Sequence, residues 1–531
     1  MMSITGENFI GSTRSGKGEN SFQAFNPAEN ISMPEKFVYA TEAEFEQALT
    51  LAHHAFISYK NTSTIQRAEF LEAIADEIMA LGESLLERAA AESGLPMGRI
   101  TGERGRTCGQ LKMFALLLRD GWYVDARIDT AQPERTPLPK PDIRRMLIPI
   151  GPVAVYGASN FPLAFSTAGG DTASALAAGC PVIVKTHPSH PGTSELVSSA
   201  IIKAAQKTQM PEGVFSSLNL ADDQSIKLVQ HKFIKAVGFT GSRKIGMVLH
   251  NATVNRPEPI PIYAEMSAIN PVILMEEALK AKGEAIARGL AGSVTMGAGQ
   301  FCTNPGLVLL IENETGNAFL NQFAGYLSAS EPATMLNKNI SKSYHKGLEL
   351  AKSVSGVTVL AQGIKAADND RNEARPIALT VSAEDFLLNK ALSEEVFGPA
   401  TLLVLVKDVA QLHQVINQLE GQLTATVHAE PADQSNLIPI IDIITQKAGR
   451  VIYNSFPTGV EVCHSMHHGG PFPSTTDQRS TSVGTAAIYR FLRPVSYQDI
   501  PDEILPEALK NSNPLNILRL VDGSWKNGLI A

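Results

Sequence analysis

The sequence predicts an α/β protein whose main sheets are parallel. Short apolar runs alternate with helical stretches of about a dozen residues from residue 151 onward, and a second alternation begins at residue 271. Strands that alternate with helices in this way are typical of βαβ units. The chain has 531 residues and is 44% hydrophobic, so it is long and apolar enough to bury a large core.

The first part of the chain is predicted to be helical. Apolar residues at helical spacing predict helices over 41–60, 65–92 and 104–119, and Thr41 is of a type that caps helices. Residues 130–149 then contain five prolines, which favours an extended segment or an edge strand over a helix.

The two alternating stretches supply the strands and helices of the sheets. The first is predicted to have strands at 152–156, 181–185, 214–218 and 236–239 and helices at 166–178, 193–207 and 243–250. The second is predicted to have strands at 271–275, 307–311, near 378, at 400–406 and at 425–428. Its predicted helices are at 284–295, between the strand at 307–311 and about residue 354, and at 409–419. The tail after residue 499 contains no recognisable motif.

Composition and charge exclude several classes of protein. Lys and Arg number 45 against 53 Asp and Glu, and the net charge of −8 argues against a nucleic-acid partner. No run approaches about 20 apolar residues. The polar, Gly-rich start lacks the apolar region of a secretory signal. We therefore expect no membrane partner and a cytoplasmic location.

One cysteine stands in a setting that suits chemistry. The four cysteines, Cys108, Cys180, Cys302 and Cys463, are too few and too scattered for a disulfide framework, which favours a reducing compartment. Cys302 lies in GAGQFCTNPG, a polar and Gly-rich setting that does not resemble a core. Because a thiolate readily attacks a carbonyl carbon, Cys302 is a candidate nucleophile, with a buried core cysteine as the alternative.

Two further motifs hold groups that assist such a nucleophile. GASNFP holds Asn160, whose amide can donate to a developing oxyanion; a simple turn is the alternative. PIYAEMSAINP holds Glu265, whose carboxylate can activate the water that hydrolyses a thioester; a structural carboxylate is the alternative.

Lys185 lies at the predicted carboxyl end of a strand, where open α/β sheets bind ligands. A cation there suits the hydroxyls or phosphate of a nucleotide ribose, although a solvated lysine is the alternative. None of the following residues 186–189, the last of which is Ser189, is acidic. NADP is therefore admissible as well as NAD.

Two more loops suit a nucleotide. In FTGSRKIG, Gly241 and Ser242 precede a predicted helix whose N-terminus can seat a phosphate; because Gly246 is followed by Met and Val, this is not a P-loop. In SEEVFGPA, the Glu395 carboxylate can bond a ribose and the Phe397 ring can support another ring. The alternatives are a loop acid and a core phenylalanine.

Together these motifs resemble those of the aldehyde dehydrogenase superfamily over residues 41–499, with GQFC, AEM/NP, EEVFGP and FTGS as the most specific pieces. The resemblance implies an aldehyde dehydrogenase-like α/β fold with a Rossmann-type cofactor domain, an α/β catalytic domain and a small β oligomerisation flap. The implied ranges are 1–130 and 151–264 for the cofactor-binding domain, 265–480 for the catalytic domain, 131–150 and 481–500 for the flap, and 501–531 for a C-terminal tail.

The resemblance also implies a reaction, the NAD(P)-dependent oxidation of an aldehyde to an acid through a cysteine thioester. Cys302 is the implied nucleophile, Glu265 the general base, and Asn160 the oxyanion donor together with the Cys302 backbone amide. The implied cofactor-binding residues are Lys185 at the adenosine ribose, Ser242 at the pyrophosphate and Glu395 at the nicotinamide ribose, with Ser189, Gly241 and Phe397 beside them.

Three positions depart from the family pattern. Ser159 replaces the usual tryptophan before the asparagine, and Ser267-Ala268 replaces the usual Gly-Gly after the catalytic glutamate and its neighbour. Pro188 replaces the acid often found three residues after the lysine. The last departure favours NADP slightly over NAD, whereas the first two concern the outline of the pocket.

The segment NSFPTGVEVCHSMHHGGPFPSTTDQRSTSVG resembles the branch of the family that oxidises α-ketoglutaric semialdehyde (2,5-dioxopentanoate) to 2-oxoglutarate, and also a branch that oxidises long-chain fatty aldehydes. The semialdehyde carries a carboxylate, so its pocket should contain a cation. The candidates for substrate binding are Arg106, Gln110 one helical turn away, Phe161 and Arg479. Surface or interhelical salt bridges are the alternative for the two arginines.

Other hypotheses remain open from the residues alone. Cys463, His464, His467 and His468 match no zinc pattern, so we expect no metal and assign them to a loop that lines the pocket or an interface. A cofactor-free cysteine hydrolase is a distant alternative, because no histidine lies in a motif near Cys302. A non-catalytic binding protein is another. The resemblance implies a homodimer or a homotetramer.

Overall fold

The computed structural model describes residues 4–530. Its first elements are β1 (Asn8–Ile10), β2 (Thr13–Ser15), β3 (Ser21–Asn26), β4 (Ile31–Val38), α1 (Glu42–Tyr59), α2 (Thr64–Ala80), α3 (Gly82–Ser93) and α4 (Met97–Asp120). The predicted cap of α1 is confirmed, because Thr41 and Glu44 each accept the backbone N–H of the other. The single helix predicted over 65–92 is wrong. It is two helices, divided where Gly82 adopts a φ of +62°.

The next elements form most of a seven-stranded sheet. They are β5 (Arg127–Asp129), β6 (Ile143–Pro149), β7 (Val153–Tyr156), α5 (Gly170–Ala178), β8 (Val182–Lys185), α6 (Pro191–Lys207), β9 (Phe215–Leu218), α7 (Asp222–Gln230), β10 (Ala236–Thr240), α8 (Arg243–Val254) and β11 (Ile262–Glu265). The strand order is β11-β10-β7-β8-β9-β1-β2, with β7 to β11 parallel as predicted. The order reverses between β7 and β10, which opens a crevice at their carboxyl ends.

A second seven-stranded sheet follows. Its region contains β12 (Val272–Leu274), α9 (Glu276–Thr295), β13 (Leu307–Ile311), α10 (Glu314–Ser328), β14 (Ala333–Thr334), α11 (Lys338–Ser353), β15 (Thr358–Gln362), β16 (Glu373–Ala374), β17 (Ile377–Ser382), α12 (Ala383–Leu388), β18 (Ala400–Val406), α13 (Val409–Gln418), β19 (Gln422–His428), α14 (Gln434–Thr445) and β20 (Ala448–Tyr453). The order is β15-β17-β18-β13-β12-β19-β20, and β15 is its antiparallel edge.

Each of these sheets is covered on both faces, as parallel sheets require. Val153 and Val155 pack into one apolar cluster, whereas Ala154 and Tyr156 between and after them pack into another. The second sheet alternates in the same way, with Leu307 and Leu309 on one face and Val308 and Leu310 on the other. The strands are therefore rigid supports for the loops at their ends.

A five-stranded sheet completes the fold. It joins β5 and β6 to β21 (Leu492–Gln498), β22 (Arg519–Val521) and β23 (Ser524–Lys526) in the order β21-β6-β5-β22-β23. The strand expected near 130–149 is present as β6, but it lies inside the sheet and not at an edge. This sheet combines segments that the sequence assigns to the cofactor domain, the flap and the tail, and the domain boundaries stay a prediction.

No helix within residues 4–530 combines the length and the apolar character needed to cross a membrane.

The carboxyl ends of the first sheet and the amino ends of the second sheet supply the candidate residues. Lys185 and Glu265 are the last residues of β8 and β11. In the second sheet, Asn270 lies two residues before the first residue of β12, and the loops that hold Cys302 and Glu395 lead into β13 and β18. Residues far apart in the sequence thus come together between the carboxyl ends of the first sheet and the amino ends of the second sheet.

Candidate active site

Cys302 lies in the loop between α9 and β13, and two neighbouring segments fix that loop. Gly299 has a φ of +65°, and a Cβ there would stand 2.2 Å from the Gly398 carbonyl oxygen, so only glycine permits this approach. Asn270 is fully buried and donates from Nδ2 to the carbonyl oxygens of Cys302 and Asn304, at 2.9 and 3.1 Å. The position of the thiol is therefore well defined.

The thiol lies beside an imidazole and a carboxylate. Cys302 Sγ is 3.4 Å from His468 Nε2, and the same nitrogen is 3.0 Å from Glu265 Oε1. Ser482 Oγ donates to the other carboxylate oxygen of Glu265 at 2.9 Å. Glu265 and His468 are buried, whereas Cys302 is partly exposed. A ligand in the crevice therefore meets the sulfur before it meets the two buried groups.

The electrostatics favour a protonated thiol beside an ionised acid. Burial and the negative charge of Glu265 raise the pKa of the Cys302 thiol well above its usual value. Burial alone would raise the pKa of Glu265 too, but His468, Cys302 and Ser482 outweigh it and lower that pKa. Glu265 can thus accept the thiol proton. Because one imidazole nitrogen contacts both partners, His468 does not link them as the middle member of a triad.

Asn160 and the Cys302 backbone supply hydrogen-bond donors near the sulfur. Asn160 Nδ2 donates one hydrogen to the Gln300 carbonyl oxygen at 2.9 Å, which leaves its second hydrogen for another acceptor. The Asn160 carbonyl oxygen accepts from Arg99 Nη2 at 3.3 Å. The backbone N–H of Cys302 donates to no residue in the described part of the chain. These two donors suit a developing oxyanion.

One side of α4 faces the site. Arg99, Glu103, Arg106 and Gln110 are four, three and four residues apart and so share that side. Glu103 is buried, and its Oε1 accepts the backbone N–H groups of residues 163 and 164 at 2.8 and 3.0 Å. The helix is thereby attached to the segment that carries the oxyanion donor.

Arg106 and Gln110 present donors that no described residue satisfies. Arg106 Nη1 donates to the Val460 carbonyl oxygen, whereas Arg106 Nε and Nη2 and Gln110 Nε2 are buried without a partner among residues 4–530. Burial lowers the pKa of Arg106, and a charge on Cys302 raises it. Because unpaired buried donors are costly, this pocket suits an anionic ligand with further acceptors.

Arg450, on β20, is held by the same loop. Its Nη1 donates to the Gly459 carbonyl oxygen at 3.1 Å and its Nη2 to the Pro457 carbonyl oxygen at 2.8 Å. Its Nε is buried without a partner in the described chain. Burial lowers the pKa of Arg450, and a charge on Cys302 raises it. Carbonyl groups of the loop 457–460 thus orient the guanidinium groups of both Arg106 and Arg450, and both groups interact electrostatically with Cys302.

Arg479 and Phe161 have different surroundings. The Arg479 side chain is 87% exposed and pairs with Asp477 at 3.1 Å, so the structure does not bring it to the thiol. The Phe161 ring packs edge to face on Phe301, with centroids 5.5 Å apart, directly beside Cys302. Of these two substrate candidates, only Phe161 borders the site.

The candidates for cofactor binding follow the carboxyl edge of the first sheet. The Lys185 ammonium makes no hydrogen bond or ion pair with another described residue, and burial lowers its pKa. Ser189 Oγ accepts from Asn337 Nδ2 at 2.8 Å. Ser242 caps α8, and Gly241 directly precedes it. The edge therefore offers a lysine, a helix N-terminus and little side-chain bulk.

Glu395 and Phe397 line a cavity of about 40 Å³ together with Gly299 and Asn304 of the Cys302 loop. Burial raises the pKa of Glu395 to about 7, although hydrogen bonds from residues 267 and 268 oppose the rise. Glu395 thus lines one cavity with the loop that holds the thiol, and its negative charge contributes to the raised pKa of Cys302.

Three residues of the site were not predicted. His468 was placed with its neighbours in a pocket or interface loop, and the repeated histidines of MHHGGPFP were its only signal. No sequence pattern indicated a role for Ser482 or Arg450. No histidine lies in the Cys302 motif, but the fold brings His468, 166 residues later in the chain, to within 3.4 Å of the Cys302 sulfur.

Comparisons with known proteins agree with this geometry. A family model described as the aldehyde dehydrogenase family matches residues 13–493. The chain is 51% identical over 526 residues to alpha-ketoglutaric semialdehyde dehydrogenase 2 of Azospirillum brasilense, which covers 98% of this chain and 99% of that protein. It is 46% identical over 524 residues to alpha-ketoglutaric semialdehyde dehydrogenase of Acinetobacter baylyi, again covering 98% and 99%. The crystal structure of the aldehyde dehydrogenase KauB from Pseudomonas aeruginosa superposes with a TM-score of 0.80 at 20% identity, over 94% of this chain and 97% of that one.

Proposed function

The chain belongs to the aldehyde dehydrogenase family, and from this premise we propose that it oxidises α-ketoglutaric semialdehyde (2,5-dioxopentanoate) to 2-oxoglutarate. The observation that carries the proposal is the set of unpartnered guanidinium nitrogens of Arg106 and Arg450 around Cys302. The two relatives named for this substrate support it, since they align with nearly the whole chain.

A distal carboxylate gives the buried donors the acceptors they lack. Arg106 Nε and Nη2 share one edge of the guanidinium, which is the geometry that binds a carboxylate through two parallel hydrogen bonds. Gln110 Nε2 is a neutral donor that suits the keto oxygen next to that carboxylate. An aliphatic chain would leave each donor unpaired at a cost of about 1–3 kcal/mol. The pocket therefore favours a carboxylated aldehyde over a fatty aldehyde.

The residues of the site divide the chemistry among them. Glu265 accepts the thiol proton, and the Cys302 sulfur then adds to the aldehyde carbon. Asn160 Nδ2 and the Cys302 N–H bind the resulting oxyanion. After oxidation of this adduct to a thioester and release of the first proton from Glu265 to solvent, the ionised Glu265 takes a proton from the water that releases the acid. His468 and Ser482 hold the Glu265 carboxylate in place during both proton transfers.

A nicotinamide dinucleotide fits the edge described above, and when bound it supplies the acceptor for the hydride of the adduct. Within residues 4–530 the Lys185 ammonium makes no hydrogen bond or ion pair. A Cβ on Gly241 would stand 2.7 Å from the Phe239 ring, so the position before α8 stays glycine and its backbone stays open for a phosphate. Glu395 would hold the nicotinamide ribose. Lys185 and the lack of an acid at 186–189 favour NADP, whereas the negative charge of Asp222 near Lys185 favours NAD.

Asn160→Ala is expected to lower kcat by about 10²–10³-fold, because one of two oxyanion donors is lost. The variant should bind NADP and substrate as well as the wild type does, since Asn160 is assigned to neither. Steady-state kinetics with fluorescence titration of the cofactor measure both quantities. An unchanged kcat would remove Asn160 from the mechanism.

Arg106→Ala is expected to lower kcat/KM for 2,5-dioxopentanoate by about 10²–10³-fold, because a buried carboxylate loses its charged partner. The value for pentanal, which has no carboxylate, should change by less than about threefold. Absorbance of the reduced nicotinamide measures both, with NAD and NADP in parallel.

The matched control is Arg479→Ala, which removes an exposed arginine and should leave both values unchanged. If the wild type instead prefers long aliphatic aldehydes to the semialdehyde, the fatty-aldehyde alternative replaces the proposed substrate. Arg450→Ala should repeat the effect of Arg106→Ala in weaker form, since only its Nε is unpaired.

The five-stranded sheet is also proposed as the surface through which a homodimer or homotetramer assembles. Its outer strands β21 and β23 each leave one backbone edge unpaired among the described residues. Such edges are ready to pair with another chain.

A further inference from the structure

The geometry points to a second use of the catalytic groups: Glu265, Cys302 and His468 form a three-ligand site for Zn²⁺ that holds the enzyme in a reversibly inactive state. This inference goes beyond the proposed function and does not depend on which aldehyde is the substrate. The potential ligand atoms are one sulfur, one imidazole nitrogen and one carboxylate oxygen, all within 4.8 Å of one another.

The spacing of these atoms fits a tetrahedral ion. Zn²⁺ binds sulfur at about 2.3 Å, nitrogen at about 2.0–2.1 Å and carboxylate oxygen at about 2.0–2.2 Å, which places neighbouring ligand atoms about 3.3–3.6 Å apart. The observed separations are 3.4 Å from Sγ to Nε2 and 3.0 Å from Nε2 to Oε1. The third pair, Sγ and the Glu265 carboxylate oxygen, lies within 4.8 Å, so side-chain shifts of the order of 1 Å would admit the ion.

The chemistry of the ligands selects the metal. A thiolate with an imidazole and one carboxylate suits Zn²⁺ and disfavours Mg²⁺ and Ca²⁺, which require oxygen ligands. On binding, Cys302 loses its thiol proton to solvent, the sulfur becomes a metal ligand, and the fourth position is left to water. The charge of the ion replaces the proton that the buried site otherwise retains.

The surrounding residues determine how Zn²⁺ reaches the site and how tightly it binds. Cys302 is partly exposed, so an ion can enter from the side of the crevice. Ser482 holds the second oxygen of Glu265, as outer groups commonly do for a ligating carboxylate. His468 Nδ1, however, is buried without a partner in the described chain, so the usual support for a ligating histidine is missing. The binding is therefore weaker than at structural zinc sites.

Occupation of the site stops catalysis at its first step. The sulfur that must attack the aldehyde is bound to the ion, and the carboxylate that must accept its proton is bound as well. Inhibition is accordingly independent of whether the aldehyde carries a carboxylate, and a chelator reverses it.

The test is a titration of the full-length, metal-free protein with Co²⁺ as a spectroscopic probe, without aldehyde or cofactor. A thiolate-to-cobalt charge-transfer band should saturate at one ion per chain and disappear when Zn²⁺ is added. Cys302→Ser should abolish the band, and His468→Asn should weaken Co²⁺ binding at least about tenfold. Circular dichroism verifies that each variant is folded, and if Cys302→Ser does not fold, His468→Asn decides alone.

The matched control is Cys463→Ser, which removes the other partly exposed thiol and should leave the band unchanged. The inference is overturned if the wild type shows no band, if the band survives in Cys302→Ser, or if Cys463→Ser abolishes it. Because metal binding is read directly, this result stands even where the wild type fails to oxidise 2,5-dioxopentanoate, so the two proposals fail separately.

Discussion

Cys302→Ala will abolish aldehyde oxidation, with kcat/KM lowered by at least about 10⁴-fold, because no other group can form the thioester. The three remaining cysteines do not replace it. Burial raises the pKa of Cys108 and of Cys180 to about 11, and neither they nor Cys463 contacts Glu265. Absorbance of the reduced nicotinamide, recorded with 2,5-dioxopentanoate and NADP, measures the loss.

Cys463→Ala is the matched control and should retain wild-type activity, since that thiol is also partly exposed but takes no part in the hydrogen bonds that join Glu265, Cys302, His468 and Ser482. The Cys302→Ala variant should still bind NADP and keep its thermal midpoint within a few degrees, because the polar contacts of Sγ are confined to Glu265 and His468 of the same site. Residual turnover at a tenth of the wild-type rate would contradict the assignment of the nucleophile.

Glu265→Gln will lower kcat by about 10²–10⁴-fold, the range expected for loss of a general base. The amide keeps the shape of the carboxylate but cannot accept a proton, and the release of the acid suffers because the attacking water loses its base. Attack by sulfur suffers less, because His468 Nε2 remains 3.4 Å from the thiol and can accept its proton. Stopped-flow absorbance should therefore show a burst of reduced nicotinamide followed by slow turnover.

Glu349→Gln, which changes an exposed glutamate on α11, is the control and should show neither the burst nor the loss. A Glu265→Gln enzyme with no burst and no change in steady-state rate would exclude Glu265 as the base for acyl release.

Much of the fold could be predicted from local sequence patterns. The alternation of apolar runs and helices located the strands β7, β8, β9 and β10, because buried strands and caps such as Thr41 have short-range signatures. The strands β1 and β2 escaped prediction because each has only three residues, and β1 also pairs with the distant β9. The strands β3 and β4 form a longer hairpin, but most of their residues are exposed or partly exposed, so they lack the apolar run of a buried strand. Strand β22 escaped for the same reason, since it pairs with β5 almost 400 residues earlier.

The site was only partly accessible to sequence reasoning. Cys302, Glu265 and Asn160 stand in recognisable motifs, and the structure brings the loops that carry them together. His468 comes from a Gly-rich loop 166 residues after the cysteine, and its approach depends on how that loop folds back onto β11. The arginine that acts at the site could not be predicted from the sequence either. Tertiary contacts alone decide that Arg450 is buried near the thiol and that Arg479 is exposed.

Mass spectrometry of the Glu265→Gln enzyme, after brief mixing with NADP and 2,5-dioxopentanoate, tests directly whether Cys302 forms the thioester. We expect a single 2-oxoglutaryl group, located by peptide fragmentation on Cys302, in an amount equal to the burst of reduced nicotinamide. An unmodified Cys302, or an acyl group on any other residue, would contradict this expectation.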